Sequence, residues 1–455
     1  MTSFLSTAST ETVTPPPISS TVVVVGGGIG GLAAAFALRT KGCDVTVLER
    51  AIEFGELGAG LQIGPNAARI LQSWGLLDEL LAHGVKPDNL VLKDAVSGQE
   101  LTRQDLGEEF RKRYGAPYLV VHRSDLHRIL LEACERVGVV LHTNHLVDDI
   151  VSSDDAATIG CTNGATFHSD IVIAADGLNS RLRQRIVGDA TVPSGYVAYR
   201  GTFPISEVPD ASELNGVIAW LGPKCHFVQY PLRQGEMLNQ VAVFRSPSFD
   251  GNPEWGGPDE LDEAFAGCSD GVKRVLPYLW RDRHWQMADR NPTENWIEGR
   301  IVLLGDAAHP PLQYLAQGAC MAIEDAACLS AQALDFVTTL GPGKGWDQAM
   351  ESYRSQRAPR TARIQTTART WGEVWHVEGV ARTLRNELMT QRDTDSYATP
   401  TGCTAIRAEQ PLSRLPGSAL AHEQPTRTAG VPGSGSTRSH CRRRGVARAS
   451  AAAGR

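Results

Sequence analysis

Three glycines, Gly26, Gly28 and Gly31, stand between the β-branched run Thr21 to Val25 and an alanine-rich helical stretch. In the pattern GxGxxG each has a mechanical use. The first permits a tight turn, the second lets a pyrophosphate approach the backbone, and the third lets helix and strand pack closely. The N-terminus of the following helix then faces the phosphates. Glu49 closes the next strand, "DVTVLER", where a carboxylate can accept both ribose hydroxyls of a dinucleotide. A glycine turn beside a surface glutamate is the plain alternative, and the order strand, glycines, helix, strand, acid weighs against it.

Two later strands also end in an acid. "DIVIAADG" stops at Asp176-Gly177, which a simple turn would equally explain, and "RIVLLGDAAHPPLQYLAQGACMAIEDA" breaks at Gly305-Asp306. A carboxylate at Asp306 can hold the ribitol hydroxyls of a flavin. Backbone N–H groups at a helix start near Gly318 favour negative charge at the edge of the isoalloxazine. For the acidic pair Glu324-Asp325 a packing or hydrogen-bonding role is expected, not a catalytic one.

These residues need a scaffold, and the 455-residue chain is long enough for two packed domains. Thr21 to Lys41 and "DVTVLER" read as a βαβ unit, hence a parallel sheet. "SDLHRILLEACERVG" reads as a helix with Ser124 as N-cap and Gly138 as its end. Between residues 190 and 290, "YVAYRGTFP", "GVIAWLGPKCHFVQYPL" and "MLNQVAVFRS" alternate and break as antiparallel strands do. The expected architecture is α/β. Residues 21–189 and 291–346 form a discontinuous Rossmann-type domain, 190–290 an inserted β-sheet domain and 347–397 C-terminal helices. Residues 1–20 and 398–455 are expected to be disordered.

The net charge of −7 conceals an asymmetry: residues 401–455 carry nine Arg and two Glu, leaving −14 for the rest. A binding role for the Arg442 to Arg444 cluster is weakened by a tail without aromatic residues to stack bases, so no nucleic-acid partner is expected. Nine scattered cysteines without CxxC spacing fit reduced thiols in the cytoplasm and give no zinc site. The first basic residue is Arg39, so a charged leader is not expected, and the glycine-rich stretch before it reads as strand, turn and helix with no membrane span.

The motifs at Gly26, Asp176 and Asp306, in that order, resemble those of the group A FAD-dependent aromatic hydroxylases with the p-hydroxybenzoate hydroxylase fold. "VVHRSDLHRIL", "GPKCHFVQYPLRQGEMLNQVAVF" and "GDAAHPPLQYLAQGACMAIEDA" extend the resemblance over about residues 21–397. The resemblance implies bound FAD and NADH as a transient co-substrate, with no nicotinamide domain of its own. It implies O2 as oxidant, acting through a flavin C4a-hydroperoxide. "CHFVQYP" and "PPLQYLA" imply 3-hydroxybenzoate as substrate, hydroxylated para to its hydroxyl to give gentisate. Salicylate or a hydroxynicotinate is the alternative within the family, and a flavin reductase that inserts no oxygen the alternative outside it.

By the same resemblance His226 is the base for the phenolic proton, Gln313 hydrogen-bonds substrate or peroxide, and Tyr230 orients the ring. Arg123 and Gln62 lie beside the FAD, Arg50 lies beside its adenine ribose, and His309 is structural. A homodimer is compatible with this reading. The chain departs from the family at Ala316, where many relatives have glycine, and after Tyr397, where an aromatic segment is replaced by a Pro/Ser/Arg-rich tail.

Overall fold

The computed structural model describes residues 18–55, 58–208, 214–249 and 255–392. The expected disorder of residues 1–17 and 398–455 lies outside the described residues. Ile18 and Ser20, expected in the disordered N-terminus, are instead buried, and the Ile18 N–H donates to the Lys41 carbonyl at 2.9 Å.

Six strands form the first sheet, in the order Ile297–Glu298, Ile301–Leu303, Ile171–Ala174, Thr21–Val25, Asp44–Leu48, Val140–His142. All pairings are parallel except at the 297–298 edge. Helices and a three-stranded sheet of Val147–Ser152, Ala157–Cys161 and Thr166–Ser169 pack into the same core, and Val22 to Val25 and Ile171 to Ala174 are all buried. The crossover helix, Ile29–Arg39, begins inside the glycine motif itself. Gly30 and Gly31 are helical because the helix lies where side chains would not fit. A Cβ on Gly30 would come within 3.2 Å of the Ala322 Cβ on the long helix Gly318–Leu340.

A seven-stranded sheet faces this one across the site. Its order is Trp285–Asp289, Val192–Pro204, Met237–Arg245, Cys225–Leu232, Val217–Gly222, Asn89–Asp94, Glu100–Asp105. Five strands come from the stretch in which the antiparallel sheet was expected. The other two come from residues 89–105, and Asn89–Asp94 joins Val217–Gly222 in parallel. Sequence alternation alone could not reveal that recruitment, because a strand's periodicity names its buried face and not its neighbour.

Helix Arg123–Arg136 begins at Arg123 with His122 as its N-cap, which corrects the expected Ser124 cap. Ser124 Oγ is within 2.6 Å of His122 Nδ1, bonding back to the cap residue's ring and not to the helix. At the C-terminal side, helices Pro342–Trp375 and Gly379–Thr390 return to the second sheet. Arg382 and Asn386 bond the buried Asp94 carboxylate, at 2.8 and 2.9 Å, and Arg385 approaches it at 3.3 Å. That clamp sets the end of the preceding helix, and with it Trp375 and His376, against the sheet.

Candidate active site

At the Gly26 turn the backbone has φ +108°, which favours glycine, and a Cβ would lie 2.4 Å from the Ala175 carbonyl oxygen. At Gly31 a Cβ would lie 1.9 Å from the carbonyl oxygen of Gly26. Strand, turn and helix therefore interlock through bare backbone. Glu49 is aimed at this turn: its Oε2 accepts the Gly27 N–H at 2.7 Å and its Oε1 the Ala51 N–H at 2.8 Å. Each oxygen keeps a second lone pair for a ligand hydroxyl.

The turn opens into a cavity of about 790 Å³ between the two sheets. Gly26, Gly28, Glu49, Arg50, Gln62, Arg123, Asp176, Asp306, Gly318, His226, Tyr230 and Gln313 all line it; Gly31 stands behind the wall as a packing residue. Gln62 Oε1 accepts the Tyr118 hydroxyl at 2.5 Å, and the Arg123 N–H bonds the Ala59 carbonyl at 2.8 Å. Asp176 combines the two readings its sequence allows. It borders the cavity, yet its carboxylate accepts the Ser180 hydroxyl at 2.6 Å and the Arg181 N–H at 3.0 Å, capping the helix Arg181–Val187.

Glu324 and Asp325 have the expected bonding role, and the geometry says what it is for. Asp325 is fully buried and accepts His309 Nε2 at 2.5 Å, Arg357 Nε at 2.6 Å and the Gly305 N–H at 3.1 Å. It thereby holds the turn that presents Asp306 to the cavity. Glu324 accepts Arg357 at 2.6 Å, Arg360 at 2.5 and 2.6 Å, and Asn66 at 2.7 Å. Burial pushes the Glu324 carboxyl up, but the two guanidiniums outweigh it and hold its pKa at about 2.

The far end of the cavity belongs to the second sheet. On Cys225–Leu232 the residues His226, Val228 and Tyr230 share one face by the two-residue period of a strand, and all three line the cavity. Tyr230 lies so close to Gly60 that a Cβ there would meet its hydroxyl at 2.5 Å. His226 is 1% exposed, enclosed by Tyr314 and Trp375, with ring centroids 5.4 and 5.0 Å away. Its Nδ1 is 2.8 Å from Nε2 of His376, which itself stacks on Tyr196 at 4.4 Å. Burial first, then the neighbouring imidazole, pushes the His226 pKa well below its ordinary value, and burial pushes His376 down to about 3. Two neutral imidazoles share one proton across that contact, which leaves His226 Nε2 as the nitrogen for a ligand.

His376 and Arg200 escaped the sequence reading. His376 follows a helix and has no motif around it. Arg200 did carry a signal: it interrupts "YVAYRGTFP", where Val197, Ala198 and Tyr199 are all buried, so a charge falls in a strand covered on both faces.

The nucleotide end fits a flavin dinucleotide. A Cβ on Gly26, Gly27 or Gly31 would clash, the helix beginning at Ile29 starts at the cavity with free N–H groups, and Glu49 and Asp306 offer carboxylate acceptors in its wall. Residues 19–368 match the family described as FAD binding domain, and the chain belongs to it. Within that family it is an FAD-dependent aromatic monooxygenase.

The chain is 40% identical to 3-hydroxybenzoate 6-hydroxylase of Polaromonas naphthalenivorans over 81% of its own length and 91% of the relative's. It is 37% identical to 3-amino-4-hydroxybenzoate 2-monooxygenase of Streptomyces cremeus, over 79% and 89%. It is 34% identical to 6-hydroxynicotinate 3-monooxygenase of Bordetella bronchiseptica, over 75% and 89%. Among solved structures, a salicylate hydroxylase substrate complex shares the fold with a TM-score of 0.68 at 24% identity, covering 82% of this chain and 93% of that one.

Proposed function

We propose that this chain hydroxylates 3-hydroxybenzoate para to its hydroxyl, consuming NADH, a proton and O2 and yielding gentisate, NAD+ and water. The observation that carries the reading is the buried imidazole of His226, set with Tyr230 and Arg200 in the wall of a mainly apolar pocket that opens onto the cofactor end of the same cavity. The likeness to relatives named for that substrate supports it over other hydroxylated aromatic acids.

FAD, when bound, supplies the redox and oxygen chemistry. The chain's own residues hold and prepare the ring. Leu92, Ala219, Val228 and Val241 form an apolar floor that excludes water. In the tautomer whose Nδ1–H donates to His376, His226 Nε2 accepts the phenolic proton, and the phenolate formed beside it supplies the counter-charge that offsets the burial cost of the imidazolium. The resulting phenolate pushes electron density to the carbon para to it, which is position 6 of the substrate. Tyr230 borders the ring site from the same strand, and Gln313 lines the cavity from the other sheet's side. No helix among the described residues is long and apolar enough to cross a membrane. Seven buried free thiols among the described residues support a cytoplasmic setting.

The test is NADH oxidation by the FAD-loaded protein with and without 3-hydroxybenzoate, with the product identified by chromatography. Gentisate formed in step with NADH supports the reading. Substrate-independent NADH consumption that releases only hydrogen peroxide sinks it, and a different dihydroxy product from salicylate or a hydroxynicotinate moves the assignment to that acid.

A further inference from the structure

Arg200 sits on strand Val192–Pro204, where it pairs with Val241. Val241 pairs with Val228, Val228 with Ala219, and Ala219 with Leu92. All five line the cavity, so the guanidinium ends a row of side chains that is otherwise apolar. One face of it lies over Trp285, 5.3 Å from the ring centroid. Its Nη2 reaches Gln313 Oε1 only at 3.4 Å, and its Nε is buried with no hydrogen-bond partner.

Among the described residues no carboxylate forms an ion pair with Arg200. The acids that line the cavity, Glu49, Asp148, Asp149, Asp176 and Asp306, all come from the first sheet, its loops and a flanking strand. Burial is the larger cause of a lowered Arg200 pKa, with Tyr230 opposing and Arg123 adding to it. A guanidinium left unpaired in an apolar wall is costly, and the cost is removed when an anion arrives. A planar fork selects a planar carboxylate.

We propose that Arg200 anchors the carboxylate of the aromatic acid, so that the acid group lies against the Arg200 end of the apolar row and the hydroxyl turns toward His226. This rests on the aromatic-acid reading above. It goes beyond it by naming the group that sets the orientation of the ring, and hence which carbon is presented to the cofactor.

The experiment compares binding of acid and amide pairs to the FAD-loaded protein by flavin fluorescence: 3-hydroxybenzoate with 3-hydroxybenzamide, salicylate with salicylamide, and 6-hydroxynicotinate with its amide. The wild-type chain should prefer an acid to its amide. Arg200→Met should weaken that acid by about 10- to 100-fold, the range of a charge-assisted hydrogen bond, and change the amide little. Arg200→Lys should fall between, because it keeps the charge and loses the fork. Flavin retention and melting temperature of each variant separate a lost anchor from a lost fold.

Equal losses for acid and amide, loss of FAD from Arg200→Met, or a wild type indifferent to the acid group would each overturn the anchor. An Arg200-dependent preference for salicylate or 6-hydroxynicotinate would keep the anchor while refuting 3-hydroxybenzoate as the substrate.

Discussion

The two ends of the cavity are built by opposite means. At the nucleotide end the contacts belong to backbone and carboxylates: Gly26, Gly28, Glu49 and Asp306 sit within or directly after strands of one sheet, and bare backbone shapes the cradle. At the ring end the wall is apolar, and its polarity is concentrated in His226, Tyr230 and Arg200, from two strands that do not adjoin, with Met237–Arg245 between them. At the first end, an added Cβ on Gly26, Gly27 or Gly31 would clash. The second is set by a few polar groups spaced along an apolar wall. A phosphate-bearing cofactor needs many fixed donors, whereas a small aromatic acid is oriented by a few groups in a dry pocket.

The sharpest break between the ends should come from Gly31→Val. With a Cβ position 1.9 Å from the Gly26 carbonyl oxygen, the helix must leave the strand, and the purified protein should carry no flavin absorbance. A variant that retains stoichiometric flavin would show that the cradle is not set by that contact.

His226→Asn should do the reverse, retaining flavin while slowing product formation by about 10²- to 10⁴-fold, the usual contribution of a general base. Single-turnover product yield with flavin absorbance measured on the same sample decides it; a normal rate would remove the proton-accepting role.

The Glu324 network ties the long helix Gly318–Leu340 to Asn66, Arg357 and Arg360 and should respond to acid. The Glu324 carboxyl is depressed from its ordinary 4.5 to about 2 in the folded chain, so it binds fewer protons folded than unfolded. Its contribution to stability is complete above about pH 4.5 and is lost as pH falls toward 2. Melting temperature followed downward from neutral pH should therefore drop more steeply in the wild type than in Glu324→Gln, which is less stable at neutral pH because Arg357 and Arg360 lose their charge partner. Parallel curves would place the acid sensitivity elsewhere.

The smallest effect concerns Ala316, which stands at φ +51°, ψ +37° just before the helix that borders the cofactor end. A left-handed alanine is strained by about 1–2 kcal/mol, and glycine's greater unfolded-state freedom returns part of that. Ala316→Gly should thus raise stability by up to about 1 kcal/mol in a denaturant titration with little change in flavin affinity. A loss of stability would mean that the methyl makes a compensating contact.

Sequence order and side-chain chemistry already determined the parallel sheet and the glycine cradle with Glu49, whereas His226 and Tyr230 were named through the family resemblance. The sheet and the cradle are local matters: a left-handed or crowded position calls for glycine, and a βαβ unit closes over few residues. Ala316 and the Glu324-Asp325 pair also stood out locally, although their partners did not. Only the tertiary structure decided that strands 89–105 complete the second sheet, that His376 meets His226 across 150 residues, and that Arg200 faces the cavity with no carboxylate beside it. The physical reason is that pairing and burial between distant segments depend on which faces meet once the sheets pack, and a missing charge partner becomes visible only when all the neighbours are in place.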